Sequence, residues 1–183
     1  MQSHRPVLVV VSGPAGSGKT TLAHELARAL RCPAICRDEI KEGLVRGRGS
    51  HDESIDPDLV TYEAFFEVVR VLLAAGVATV AEAAFQHHHW APGLVPLGSL
   101  ASIRVVQCRT DPAVARERFV TRAPARAAHA DDALLPRIDD GRYYAEFERV
   151  AIAAPSIAVD TTAGYEPALE DLVAFIEAPH APR

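Results

Sequence analysis

Five short apolar runs are spaced along the chain, and longer stretches between them carry apolar residues every three or four positions. The first run, Val7–Ser12, has no polar interruption until its last residue, which predicts a strand buried on both faces. A helix is predicted from Lys19 to Arg31, with Leu22, Leu26 and Leu30 on its inner face. Cys32-Pro33 ends it, and a short strand follows at Ala34–Arg37. Glu39–Arg46 reads as a short helix, and Gly47–Asp56 as a polar loop. Asp56-Pro57 is a cap followed by a proline suited to the first helical turn. It opens a long helix to Ala75, with Leu59, Tyr62, Phe66, Val69 and Leu73 on one face. Val77–Ala81, Ile103–Cys108 and Ile157–Val159 are the remaining strands. Helices are expected at Ala91–Leu97 despite its prolines, at Pro112–Arg122, at Ile138–Val150 and at Glu166–Glu177; residues 123–132 read as a loop and Thr161–Tyr165 as a turn.

Strand and helix thus alternate five times, which predicts an α/β fold with a parallel sheet covered by helices on both faces. At 183 residues one domain is expected, with an ordered core over residues 6–177 and loose ends. In such sheets ligands bind at the carboxyl ends of the strands. Those ends are the Gly13–Gly18 loop, Asp38, Glu82, Arg109 and Asp160.

The first of these ends carries the sharpest signal. Gly13, Gly18, Lys19 and Thr20 match G-x-x-x-x-G-K-[ST], the phosphate-binding P-loop. Glycines let the loop backbone turn its N–H groups inward, and the helix N-terminus adds positive potential. The expected nucleotide cradle is Gly13, Pro14, Ala15, Gly16, Ser17 and Gly18 with Lys19, Thr20 and Thr21. Lys19 would reach the β- and γ-phosphates, and the Thr20 hydroxyl would bind Mg²⁺. Composition strengthens this reading. Of 19 basic residues only Lys19 and Lys41 are lysine, so a chain that otherwise uses arginine has a compact point charge at this position.

The segments GPAGSGKTTLA, RDEIKEGL after the second strand and EAAF after the third resemble the small-molecule kinase-like P-loop ATPases. That broad group includes polynucleotide 5′-kinases, chloramphenicol phosphotransferase, zeta-type toxins, and gluconate- and shikimate-type kinases; the resemblance is nearest to its bacterial members known only as kinases by sequence. It spans nearly the whole chain. It implies a three-layer P-loop NTPase fold with sheet order 2-3-1-4-5 and an arginine-bearing lid, here about residues 118–135. It also implies that Asp38 accepts the proton of an attacking hydroxyl. Asp38 could equally cap the following helix, and both roles are compatible.

Glu82 ends an otherwise small and apolar run, where a charge is costly unless paired or bound to a metal. Water-bridged Mg²⁺, the acceptor, and a salt bridge to a sheet-end arginine are the alternatives. Arg118 and Arg122 share a helix face, and Arg126 lies one step further on. They are candidates to neutralise the transferring phosphoryl group, against a plain arginine-rich surface helix; the lid stretch APARAAHADD is less patterned than the family's. Adenine is expected near Thr161–Tyr165, and the lack of an NKxD-like element favours ATP over GTP. His87, His88 and His89 point in different directions on any regular backbone, so an exposed polar loop is favoured over a metal site. Trp90, Tyr62, Phe65 and Phe85 could wall an acceptor pocket, with Phe66 in the core.

A net charge of −5 argues against a protein built to hold nucleic acid. No run reaches the length of a membrane span, and no signal peptide is expected. Three cysteines in an odd count suit a reducing cytoplasm, and Cys32 and Cys36 lack the second pair of a zinc site. The expectation is a cytoplasmic ATP- and Mg²⁺-dependent phosphotransferase, monomer or homodimer, acting on a hydroxyl of a small molecule. A polynucleotide 5′-hydroxyl kinase and a non-catalytic ATP-binding regulatory module are the alternatives.

Overall fold

The structure is a computed structural model, described here for residues 5–48, 56–122, 131–139 and 141–179. Its centre is a five-stranded, all-parallel sheet in the order β2-β3-β1-β4-β5, the order implied by the resemblance. The strands are β1 (Val7–Ser12), β2 (Ala34–Cys36), β3 (Thr79–Glu82), β4 (Ser102–Arg109) and β5 (Ser156–Asp160).

Alternate residues of β1 feed two separate cores. Leu8 and Val10 pack with Phe65, Val69 and Leu73 of α3 (Pro57–Ala74) and with Trp90 and Leu94 of α4 (His87–Leu94). Val9 and Val11 pack with Leu22 and Leu26 of α1 (Lys19–Leu30) and with Leu172 and Ile176 of α8 (Leu169–Glu177). All four β1 residues are buried, as their unbroken apolar run requires. Each fully buried leucine contributes about 1.5–3 kcal/mol, so this strand is well placed to hold the loop that follows it.

Several boundaries differ from the sequence reading. Helix α2 (Arg37–Arg48) begins at Arg37, so Asp38 lies inside its first turn instead of capping Glu39–Arg46. The helix from Pro57 has the expected Asp56 cap, whose side chain accepts from the Asp58 N–H at 2.8 Å. Its buried face runs through Thr61, Phe65, Val69 and Leu73; Leu59 is exposed and Phe66 half-buried. The helix is apolar on more than one side, so its periodicity left the inner face ambiguous. The histidine run is helical rather than a loop: α4 covers it, and a 3₁₀ turn follows at Val95–Ser99.

The expected helix Ile138–Val150 is not one element. It is the end of α6 (Asp131–Asp139) and a single turn, α7 (Arg142–Ala145), separated by Gly141 at φ 75°. Beyond α7 the chain straightens, Arg149 bridges to Gln86, and Gln107 Nε2 donates to the Val150 carbonyl at 2.9 Å. The last helix starts at Leu169 rather than Glu166, because Glu166 is paired back to Asp160 through two backbone hydrogen bonds.

Candidate functional site

The loop between β1 and α1 has the shape its glycines predict. Gly16 and Gly18 adopt φ 76° and 73°. A Cβ on Gly16 would lie 2.0 Å from the Ala115 carbonyl oxygen of α5 (Pro112–Arg122), so this position admits only glycine. The loop is tied down from several sides. The Ala15 N–H donates to the Tyr143 hydroxyl at 3.0 Å, and the Tyr144 hydroxyl donates to the Ala15 carbonyl at 3.3 Å. Thr161, buried just after β5, donates from Oγ1 to the Ser17 carbonyl at 2.7 Å.

At the end of the loop Lys19 is buried, with Nζ 3.8 Å from Glu82 Oε1 and 3.5 Å from the Pro14 carbonyl. Burial opposes its charge, but Glu82 first and Asp38 second outweigh that, so its pKa stands above the ordinary value. Glu82 is 1% exposed and sits within β3, paired in register with Val11 and Cys36. Burial pushes its pKa up, Lys19 pulls it down and Asp38 pushes it up again; the net direction is up. Neither carboxylate oxygen has a hydrogen bond of good geometry, although Thr20 and Cys36 lie beside it. A buried carboxylate next to the P-loop hydroxyl, with Lys19 as its ion-pair partner but no hydrogen bond, has oxygen valences left that suit a hydrated divalent cation.

These groups open into a single cavity of about 830 Å³. One end is the P-loop: Ala15, Gly16, Gly18, Lys19 and Thr20. Beyond it lie Asp38, Arg37 and Lys41 on α2, then Asp56, Asp58, Leu59 and Tyr62 at the start of α3. His89 and Trp90 of α4, Phe119 and Arg122 of α5, Leu134 and Tyr143 complete the lining. Asp58 binds both Arg37 and Lys41, the latter at 2.8 Å. Burial raises its pKa, but Lys41 and then Arg37 reverse that, and its carboxyl stays below the ordinary value.

Asp38 therefore meets Lys19, Arg37 and the cavity in one place. Tyr62 and Trp90 reach the cavity with ring centroids 5.1 Å apart, whereas Phe65 and Phe85 are fully buried beneath them. The three histidines separate. His87 accepts from the Ala151 N–H, His88 pairs with Glu148, and His89 faces the cavity. The two arginines on the α5 face also separate. Arg122 lines the cavity, while Arg118 donates to the carbonyls of Thr161 and Thr162 at 2.9 and 3.0 Å. Arg126 lies outside the described residues, as does most of the expected lid loop.

Sequence reasoning missed Lys41, Asp58 and Tyr143. For Lys41 a signal was available: both lysines of this arginine-rich chain line the same cavity. For Tyr143 there was none, since it arrives through a one-turn helix hidden in an apparent longer one.

The profile of the family AAA_33, described as an AAA domain, matches residues 8–147. The chain belongs to that family. Its fold is that of P-loop kinases. A kinase candidate from Chloroflexus aurantiacus J-10-fl superposes with TM-score 0.78 at 24% identity, over 94% of each chain. An APS kinase from Mycobacterium tuberculosis, solved with AMPPNP and APS, superposes with TM-score 0.62 at 16% identity over 96% of this chain and 99% of its own. A cytidylate kinase from Haloarcula marismortui is 41% identical over 63 residues, which span 29% of this chain and 33% of that enzyme. The chain therefore aligns with only about a third of that relative's length. Among the described residues, no helix is long and apolar enough to cross a membrane.

Proposed function

We propose that the protein transfers the γ-phosphoryl group of ATP to a hydroxyl of a small molecule, with Mg²⁺ as the required cation. The observation that carries this reading is the shared cavity: the P-loop with Lys19 and Thr20, Asp38, and the further residues Arg37, Lys41, Asp58, Tyr62 and Trp90 all line it. A protein that only holds nucleotide has no need of this additional lining.

In this mechanism the P-loop amides and Lys19 bind the triphosphate, and Lys19 draws charge away from the leaving oxygens. Thr20 and Glu82 would hold Mg²⁺, which when bound would supply charge neutralisation on the phosphates. Asp38 orients the acceptor hydroxyl and takes its proton. Arg122 steadies the transferring group from the lid side. Arg118 braces the Thr161–Thr162 turn, beside which adenine would sit. The acceptor side of the cavity offers Arg37 and Lys41, both paired with Asp58, and the aromatic side chains of Tyr62 and Trp90. This suits a polar small molecule with a ring or a carbon skeleton of similar size. A cytoplasmic setting, with ATP and Mg²⁺ at hand, fits the reading.

The test is ADP release from ATP and Mg²⁺ against separate pools of sugars, nucleosides, aminoglycosides and 5′-hydroxyl oligonucleotides. Stimulation by a small-molecule pool, with a phosphorylated product, is expected. Stimulation by oligonucleotides alone would replace the small-molecule acceptor by a nucleic-acid end.

A further inference from the structure

Immediately next to Asp38 in sequence, but outside the cavity, three other side chains converge. His24 comes from α1, Cys36 from the end of β2 and Glu39 from the first turn of α2. His24 Nε2 lies 2.7 Å from Glu39 Oε1 and 3.7 Å from Cys36 Sγ, and one ligand atom of each residue lies within 4.8 Å of the other two. None of the three lines the cavity.

We propose that His24, Cys36 and Glu39 form a site for a thiophilic divalent cation, Zn²⁺ above all, whose Cys36 ligand stands next to Glu82 but whose other two ligands, His24 and Glu39, take no part in the Mg²⁺ position. Tetrahedral zinc with Zn–N near 2.0–2.1 Å and Zn–S near 2.3 Å places its nitrogen and sulfur about 3.6 Å apart. The His24–Cys36 separation already matches. The His24–Glu39 contact must open to about 3.3 Å and the Glu39 oxygen, within 4.8 Å of Cys36 Sγ, must settle about 3.6 Å from it; Glu39 is exposed enough to swing. Imidazole, thiolate and carboxylate select zinc-like ions, whereas Mg²⁺ takes oxygen ligands. A cation there displaces the thiol proton to solvent. The spacing of Cys32 and Cys36 gave no hint of this, because His24 reaches Cys36 only through the packing of α1 on β2.

The three ligands sit on rigid elements that meet at one corner. Asp38 lies between two of them in sequence, so metal bound at this corner fixes the turn that carries the acceptor-facing carboxylate. The site stands whether or not the proposed phosphotransferase activity is correct.

The decisive experiment is Co²⁺ titration of the full-length, nucleotide-free protein, read by absorption, with Zn²⁺ as competitor. One Co²⁺ per chain is expected, with tetrahedral d–d bands and a thiolate-to-cobalt charge-transfer band that Zn²⁺ abolishes. Zn²⁺ should also raise the melting temperature. Cys36→Ser should remove the sulfur band and Cys32→Ser should not. His24→Ala and Glu39→Gln alter exposed side chains and should leave the fold intact. Each should weaken Zn²⁺ binding about tenfold or more. A folded parent protein with no sulfur band would overturn the proposal. So would a band that persists in Cys36→Ser, or Zn²⁺ affinity unchanged in both His24→Ala and Glu39→Gln; the run His87–His89 supplies no sulfur and cannot mimic the signal.

Discussion

Lys19 and Glu82 face each other across the base of the P-loop, 3.8 Å apart and both buried. Neither would be stable there alone, since an isolated buried charge costs several kcal/mol. In the proposed function Lys19 faces the phosphates and Glu82 the metal. Lys19→Ala should therefore do two kinds of damage. It removes the phosphate-facing charge and leaves Glu82 unpaired. Turnover should fall about 10²–10³-fold or more, with lower ATP affinity by equilibrium dialysis. Lys19→Arg should not rescue it, because the broad guanidinium does not fit a site shaped for a point charge. Near-normal turnover in Lys19→Arg would show that the site accepts any cation.

Lys41 belongs to the acceptor half of the cavity, where its ammonium is held by Asp58. Its loss should raise the KM for the acceptor by about tenfold, the scale of one charge-assisted hydrogen bond. Acceptor-free ATP hydrolysis should be unchanged. Equal loss in both reactions would place Lys41 with the nucleotide instead.

The Tyr143 hydroxyl occupies the Ala15 N–H, one of the loop amides that a triphosphate would claim. Tyr143→Phe removes this competitor. ATP should bind several-fold more tightly by calorimetry, while the nucleotide-free protein loses about 1 kcal/mol of stability because the amide is left unpaired. Weaker ATP binding in Tyr143→Phe would mean that the hydroxyl helps to hold the nucleotide.

Asp58 has its pKa depressed, from 3.8, because Lys41 and Arg37 overcome its partial burial. A depressed carboxylate contributes stability above its unfolded pKa and loses it as pH falls through the folded value. The parent should be more stable than Asp58→Asn at pH 6, by less than about 1 kcal/mol given the group's exposure. The gap should close by pH 2. Denaturant unfolding at the two pH values measures it, and a gap that widened in acid would reverse the assignment.

The sheet and the P-loop were readable from sequence because each rests on a local rule. Val7–Ser12 is apolar without break, and a buried central strand demands that. Gly16 and Gly18 answer to φ values no other residue takes comfortably. The sequence also placed Asp38 and Glu82 at strand ends, but not their depth. Glu82 is the last residue of β3, fully buried and paired with Lys19 but without a hydrogen bond to either oxygen, a matter of packing from β1 and β2 that no local pattern encodes. The inner face of helix α3 was read correctly at Val69 and Leu73, but it also takes in Phe65 and leaves Leu59 outside, because the helix carries apolar residues on two stripes. The 138–150 region failed for a different reason. Its helical propensity was real, but Tyr143 and Tyr144 bind the P-loop, and tertiary contacts decided the backbone. The separation of Arg118 from Arg122 has the same origin: i,i+4 spacing puts both on one face, and only the Thr161–Thr162 turn distinguishes them.

The most direct test of the account is phosphoryl transfer by Asp38→Asn, measured with the acceptor pool that stimulates the parent. Asparagine keeps the size of the side chain and removes its ability to accept the proton. The account predicts unchanged ATP binding and a loss of acceptor-stimulated transfer of about 10²–10⁴-fold. Transfer at the parent rate by Asp38→Asn would contradict it, because the carboxylate between Lys19 and the acceptor side of the cavity would then have no part in the chemistry.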